Sequence, residues 1–358
     1  MERRNATLNT SGDDQLMFKK LALVGIGLIG SSIALAARAH GLAETIAITT
    51  RRAETLAEAE ALGLGDLYTL EPAEAVRGAD LVILCTPVGA YEPVMRQIRE
   101  ALAPGAILSD VGSVKGFVQQ TLGPLVPQGV HFIPAHPIAG TEHSGPAAGF
   151  AELFINRWCV LTPAPGIDAI ALDRLTSFWQ TMGSNVEVMD AGHHDRVLAI
   201  TSHVPHLIAY NIVGTVADLE AATKSEVIKF SASGFRDFTR IAASDPVMWR
   251  DVFLTNRDAV LEMLGRFLED LSKLQRMVRV GDGPGMESLF TRTRKIRRSI
   301  ITAGQETAAA DFGRPHGEAR TISGPSGTAV LDGAAAPIVE VNVEPQQPVR
   351  EHGGGDDA

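Results

Sequence analysis

The run Val24-Gly25-Ile26-Gly27-Leu28-Ile29-Gly30 limits what this chain can fold into more than any other feature. Alone, a G-x-G-x-x-G spacing is weak. Here Lys20 to Val24 reads as a short apolar strand in front of it, and Ser31 to His40 carries a helical pattern behind it. That context is the strand–turn–helix opening of a dinucleotide-binding βαβ unit. Gly25 permits the tight turn, Gly27 lets a pyrophosphate approach the backbone, and Gly30 allows close packing of helix on strand. Free amides at the helix start then face the phosphates.

The alternation continues. Thr45 to Thr50, Asp80 to Cys85, Ala106 to Ser109 and His131 to Ile133 read as further strands. Arg52 to Leu62, Tyr91 to Leu102 and Val114 to Leu122 read as helices between them. Short, continuously apolar strands separated by helices indicate a parallel sheet buried on both faces. Arg157 to Thr162 reads as a last strand. From Ile167 to Thr302 helical patterns dominate, with Asp245-Pro246 as an N-cap and first-turn pair and Pro205 near another helix start. The expected organisation is an α/β Rossmann-type dinucleotide-binding domain over residues 17–166, followed by an all-helical domain over 167–302.

The flanks differ in composition. Residues 1–16 are polar. Residues 303–358 hold nine Gly, five Pro and one aromatic residue, and nine acids against three arginines leave them at −6 of the chain's −10. Such a segment cannot bury enough apolar surface to offset its ordering entropy, so both flanks are expected to be disordered. Within the tail, Pro337 to Val343 alternates like an edge strand. The cluster Arg292, Arg294, Lys295, Arg297 and Arg298 suits a solvated helix end. The net negative charge argues against nucleic acid as the main partner. Two cysteines in 358 residues, Cys85 and Cys159, both in apolar stretches, fit buried thiols in a reducing compartment. No uninterrupted apolar run suggests a signal peptide or membrane span, so a cytoplasmic location is expected.

The end of the second strand bears on the cofactor. An NAD site usually places Asp or Glu there, on the ribose hydroxyls. This chain has Thr50-Arg51-Arg52 instead, which would pair with a 2′-phosphate, so NADP is favoured over NAD. With the glycines, the expected cofactor contacts are Leu28, Ile29, Thr50, Arg51, Arg52, Thr86, Pro87 and Ser113.

Polar residues cluster in Ser109-Asp110-Val-Gly-Ser113-Val-Lys115 and in His136-Pro-Ile-Ala-Gly-Thr-Glu142-His143-Ser-Gly145. Others lie in His194-Asp195, in Ser202-His203-Val-Pro205-His206 and along Arg236, Arg240 and Arg250. Hydride removal from an alcohol needs a base, and His suits that at neutral pH. An acidic substrate needs cations, for which the three arginines are candidates. No Cys or carboxylate completes a metal set with His203, His206 and His193 or His194, so no metal is expected. His203 and Trp249 read as core residues.

Together these motifs resemble the prephenate/arogenate (cyclohexadienyl) dehydrogenases of tyrosine biosynthesis, over roughly residues 18–302. The resemblance implies that the helical domain dimerises. It also implies oxidative decarboxylation of a cyclohexadienyl substrate: prephenate to 4-hydroxyphenylpyruvate, or arogenate to tyrosine. On the same resemblance His136 accepts the ring-hydroxyl proton, and Ser113 positions that His, the hydroxyl and the nicotinamide. Arg250 binds the ring carboxylate, Ser202, His206 and Arg240 contact substrate, and Asp195 and Glu142 belong to a polar network at the site mouth. Another two-domain dehydrogenase, of the β-hydroxyacid or pyrroline-carboxylate reductase type, would lack the His136-Pro-Ile-Ala-Gly run. A non-catalytic dinucleotide-binding protein would not be expected to keep His136, Ser113 and Arg250 together.

Overall fold

A computed structural model describes residues 17–141, 143–223 and 232–302. The expectations for residues 1–16, Glu142 and 303–358, the strand over 337–343 included, lie outside the described residues.

Six parallel strands make the main sheet: β1 (Phe18–Val24), β2 (Ala43–Thr49), β3 (Leu67–Thr69), β4 (Leu81–Leu84), β5 (Ile107–Asp110) and β6 (His131–Phe132). Their spatial order is β3-β2-β1-β4-β5-β6. The order reverses between β1 and β4, where the carboxyl ends of the strands leave a crevice for a ligand. One face of the sheet is covered by α1 (Leu28–Ala39) and α2 (Ala53–Ala61). The other is covered by α3 (Pro72–Val76), α4 (Tyr91–Ile98) and α5 (Lys115–Leu122). Helix α1 owes its close fit to alanines 34, 36 and 37, which are good helix formers with little bulk. It ends in a left-handed Gly41, with Leu42 N–H reaching Ala37 O and Gly41 N–H reaching Arg38 O. These two bonds satisfy the last carbonyls and aim the chain into β2.

A second, three-stranded sheet was not foreseen. In it β7 (Ala135–Pro137) pairs antiparallel with β8 (Trp158–Leu161), and β8 pairs parallel with β9 (Asn185–Val188). Helix α6 (Ala169–Thr181) connects β8 to β9 and lies on the main-sheet core. Its Phe178 meets Phe18 edge-on at 5.8 Å, and Arg174 sits 4.5 Å over the Phe18 ring. The expected start of the helical part at residue 167 is therefore displaced: α6 and β9 are built into the first part. The helical period over 169–181 looks the same in sequence whether the helix covers a sheet or joins a bundle. The four-residue β9 is too short to declare a period of its own.

The purely helical part begins with α7 (Ala191–Leu198), continues through a π-helical turn at Ala199–His203 into α8 (Val204–Thr223), and adds α9 (Ser233–Thr239), α10 (Pro246–Thr255), α11 (Arg257–Val280) and α12 (Gly283–Thr302). Pro205 does not start a separate helix. It lacks the N–H that would bond Thr201 O, and its ring crowds that carbonyl, so the helix widens into the π turn before it. Asp245 caps α10 as expected, accepting from Met248 N–H at 2.8 Å, with Pro246 in the first turn. The stretch Ala191–Asp218 is apolar and long enough to cross a bilayer by length and composition, which a scan for unbroken apolar runs passed over.

Candidate active site

The three glycines of the fingerprint do three different things. Gly25 has φ +104°, and a Cβ there would lie 2.8 Å from the Cys85 carbonyl carbon and the Thr86 nitrogen. A Cβ on Gly30 would lie 2.5 Å from Gly25 O. Gly27 has open space where its Cβ would stand, and no side chain caps α1. The amides of Leu28, Ile29 and Gly30 are therefore presented to whatever anion enters the crevice. The Thr86 hydroxyl, just past the end of β4, is buried without a partner among the described residues, and the exposed Pro87 follows it. An open glycine, unclaimed amides and an orphaned hydroxyl along one strand-end crevice fit a dinucleotide pyrophosphate. At the neighbouring strand end, Gly25 N–H bonds Thr49 O at 2.8 Å, which places Thr50, Arg51 and Arg52 beside the glycine turn. Both arginines are exposed, and no salt bridge among the described residues engages either.

Next to the crevice lies a buried ion pair. Lys115 Nζ is 2.5 Å from Asp110 Oδ2, both side chains fully enclosed. The same Asp110 oxygen accepts from Gly112 N–H at 2.8 Å and Tyr91 Oη at 3.1 Å. The pair then grips one residue by both its backbone polar groups: Asp110 Oδ1 accepts from Ala135 N–H at 3.1 Å, and Lys115 Nζ donates to Ala135 O at 2.6 Å. The next residue is His136. A buried charge pair satisfied this fully fixes the backbone that carries the imidazole.

His136 is buried, and its Nδ1 lies 2.8 Å from His194 Nε2, with the rings edge to face at 5.1 Å. His194 Nδ1 is in turn 2.8 Å from Asp195 Oδ1. The Asp195 carboxylate also caps α5, accepting from Lys115 N–H at Oδ1 and Gly116 N–H at Oδ2, each at 2.8 Å. Burial pushes His136 well below the usual imidazole range, and the charge of Lys115 and protonation of His194 or His203 push the same way. Burial also lowers His194, partly offset by its bond to Asp195. Burial works to raise Asp195, but the bonds from His194 and the two amides outweigh it, and its pKa is lowered.

Asp195, expected in a polar network around the site, is buried with both oxygens committed to protein donors. The partner of His136 Nδ1 is His194, and Ser113 sits half-buried on the β5–α5 loop.

The residues expected to meet substrate come from the π turn (Ser202), α8 (His206), the turn after α9 (Arg240) and α10 (Arg250). His206 Nδ1–H donates to Ser202 O at 2.8 Å, and its ring stacks on Trp249 at 3.7 Å. Burial lowers its pKa, the Ser202 carbonyl partly offsets this, and Arg240 lowers it further, which places Arg240 within electrostatic reach. Arg250 sends Nε and Nη2 to one oxygen of Asp251, at 2.9 and 2.7 Å, and its side chain is 61% exposed. The other Asp251 oxygen would be 2.8 Å from a Cβ on Gly89, so α10 leans on the turn just after Pro87. Arg236 is exposed on α9. His203 and Trp249 are buried as expected, and His203 Nδ1 lies 3.0 Å from Asn256 Nδ2.

The family model described as "Prephenate dehydrogenase, nucleotide-binding domain" matches residues 33–188, and "Prephenate dehydrogenase, dimerization domain" matches residues 190–292. A cyclohexadienyl dehydrogenase from Zymomonas mobilis is 41% identical over 286 residues, spanning 80% of this chain and 97% of that protein. This chain belongs to the prephenate dehydrogenase family. It is an NAD(P)-dependent dehydrogenase. A prephenate dehydrogenase from Bacillus subtilis is 32% identical, covering 82% of this chain and 78% of its own length. The crystal structure of the A. aeolicus prephenate dehydrogenase, in complex with hydroxyphenyl propionate and NAD+, superposes with a TM-score of 0.73. It is 32% identical, over 79% of this chain and 98% of that one.

In this chain the change from nucleotide-binding to dimerisation domain falls between β9 and α7, so His136 and His194 lie on opposite sides of it. Sequence reasoning quoted His194, Asp110 and Lys115 but gave them no task, and it passed over Gly116 and Asn256. The roles of His194, Gly116 and Asn256 arise from contacts between segments about 60 to 80 residues apart, and the Asp110–Lys115 clamp closes on Ala135 some 20 to 25 residues on, none of which local spacing reveals.

Proposed function

We propose that this enzyme carries out the oxidative decarboxylation of prephenate, arogenate or both, giving 4-hydroxyphenylpyruvate or tyrosine with release of carbon dioxide, and that it prefers NADP to NAD. The observation that carries this reading is His136, a buried imidazole kept neutral at pH 7 beside the dinucleotide crevice. His136 takes the ring-hydroxyl proton. A nicotinamide held in the crevice would supply the acceptor for hydride from the carbinol carbon. Arg250 holds the ring carboxylate until its carbon–carbon bond breaks and the electron pair enters the ring. Ser113 orients the hydroxyl, while Ser202, His206 and Arg240 bind the rest of the substrate. Aromatisation makes the step downhill, so these residues chiefly orient and neutralise. The exposed guanidiniums of Arg51 and Arg52, engaged by no salt bridge among the described residues, support with Thr50 the NADP preference.

The protein acts as a homodimer in this reading, in keeping with its dimerisation domain. On α11, Leu261, Leu268, Leu271 and Val278 are exposed at intervals of seven, three and seven residues, a helical stripe suited to a second copy. A cytoplasmic location accompanies this biosynthetic role.

The test is initial rates with prephenate and with arogenate, each with NADP and with NAD. Turnover of at least one substrate is expected, with about a tenfold preference for NADP that weakens as salt rises. The substitution His136→Asn is expected to lower kcat at least about a hundredfold with cofactor binding nearly unchanged. No reduced cofactor from either substrate would overturn the reading. A clear preference for NAD would mean that Arg51 and Arg52 serve the solvent.

A further inference from the structure

The hydrogen-bond chain behind His136 determines which of its nitrogens is basic. An ionised carboxylate only accepts, so the 2.8 Å contact between Asp195 Oδ1 and His194 Nδ1 puts a hydrogen on that nitrogen. With His194 neutral, its Nε2 then carries a lone pair. The 2.8 Å contact from that Nε2 to His136 Nδ1 requires His136 to donate. A neutral imidazole that donates from Nδ1 has its lone pair at Nε2. We infer that His194 is a positioning residue: held by Asp195, it locks His136 in the tautomer whose Nε2 is the base.

The inference rests on the reading of His136 as the base and adds what makes that base competent. As the substrate hydroxyl gives its proton to Nε2, His136 becomes an imidazolium. Its Nδ1–H already points at the His194 lone pair, and the Asp195 carboxylate lies behind. The new positive charge therefore meets an acceptor without any rearrangement. The other titratable groups that act on the ring are Lys115 of the clamp and His203 in the π turn, with Cys159 on β8 beside the His136 backbone and Asp110, bonded by Tyr91, behind Lys115. Lys115 and Asp110 hold the backbone of Ala135, and Asn256 ties His203 to the Asp195 carbonyl. Among the described residues only His194 is hydrogen-bonded to the His136 ring.

Two polar substitutions separate the two ends of the chain. His194→Asn places an amide near the old Nδ1, so it keeps a donor for Asp195 but loses the acceptor for His136. His194→Gln places a carbonyl oxygen near the old Nε2, so it keeps that acceptor. Both preserve a polar group in the space, and their thermal midpoints report folding directly. The expected result for His194→Asn is kcat at least tenfold lower and KM within about threefold, because the residue does not touch substrate. The acid limb of kcat/KM should move to lower pH, because the protonated ring has lost its acceptor. For His194→Gln the expected kcat is within about fivefold of wild type. If His136→Asn abolishes turnover while His194→Asn keeps wild-type kcat and an unmoved acid limb, the inference is overturned. Equal loss in Asn and Gln with no shift of the limb would reduce His194 to packing and also overturn it. An active His136→Asn would instead refute the underlying reading of the base.

Discussion

Arg250 shows how far a single side chain can be read. The sequence marks it as a cation for an acidic substrate. The structure adds that both contacting nitrogens go to one oxygen of Asp251, leaving Nη1 free for another acceptor. A charge-assisted pair to a carboxylate is mostly ground-state binding, worth about 2–4 kcal/mol where water is excluded. The exposure of Arg250 places its effect at the lower end. Arg250→Ala is therefore expected to raise KM about tenfold or more and to change kcat less, and steady-state kinetics checks it. An unchanged KM would put the ring carboxylate elsewhere. What could be read here was the residue's charge and its motif. The Asp251 partner and the lean on Gly89 could not, because neighbours on a helix surface give no sign of what the next domain brings to them.

Among the elements, α5 is the informative one. Its sequence period predicts the helix, but its first turn has no side-chain cap of its own. The cap comes from Asp195, on a helix about 80 residues away. A Cβ on Gly116 would lie 2.8 Å from Asp195 Oδ2, so any larger residue would push that carboxylate from its place. Gly116→Ala is expected to lower kcat about tenfold while leaving cofactor binding intact, although alanine is otherwise the better helix former. Fluorescence titration of cofactor beside turnover measurements checks this, and wild-type kcat would show that Asp195 tolerates displacement. The strands β1, β2 and β4 were legible because burial on both faces leaves an apolar run. Strands β3, β7 and β9 were not, since each has only three or four residues with polar ones among them. The π turn also escaped, because Pro205 reads equally well as a helix start.

For the whole molecule, the buried histidines couple folding to acidity. Burial lowers His203 from 6.5 to about 4, with the Asp195 charge offsetting part of the effect. Between those values the unfolded chain binds a proton that the folded chain refuses, so stability rises with pH across that window. The contribution is complete above pH 6.5 and disappears as pH falls towards 4, about 3 kcal/mol for this residue. His136 and His194 are lowered too and act in the same direction. Urea midpoints at fixed protein concentration should fall steadily from pH 7 to 4.5. A flat midpoint would show that water reaches His203 in the folded state.

The bond between His136 and His194 joins the two halves of the chain in a way that bears on their exchangeability. The nucleotide-binding half alone holds the crevice, the clamp and the imidazole, yet the group that tunes the imidazole arrives with the other half. A chimera spliced between Val188 and Asp190 would inherit cofactor affinity from one parent whatever the other supplied. It would inherit chemistry only if the second parent delivered a His-Asp pair in register with the first turn of α5. The chain is modular for binding and indivisible for turnover.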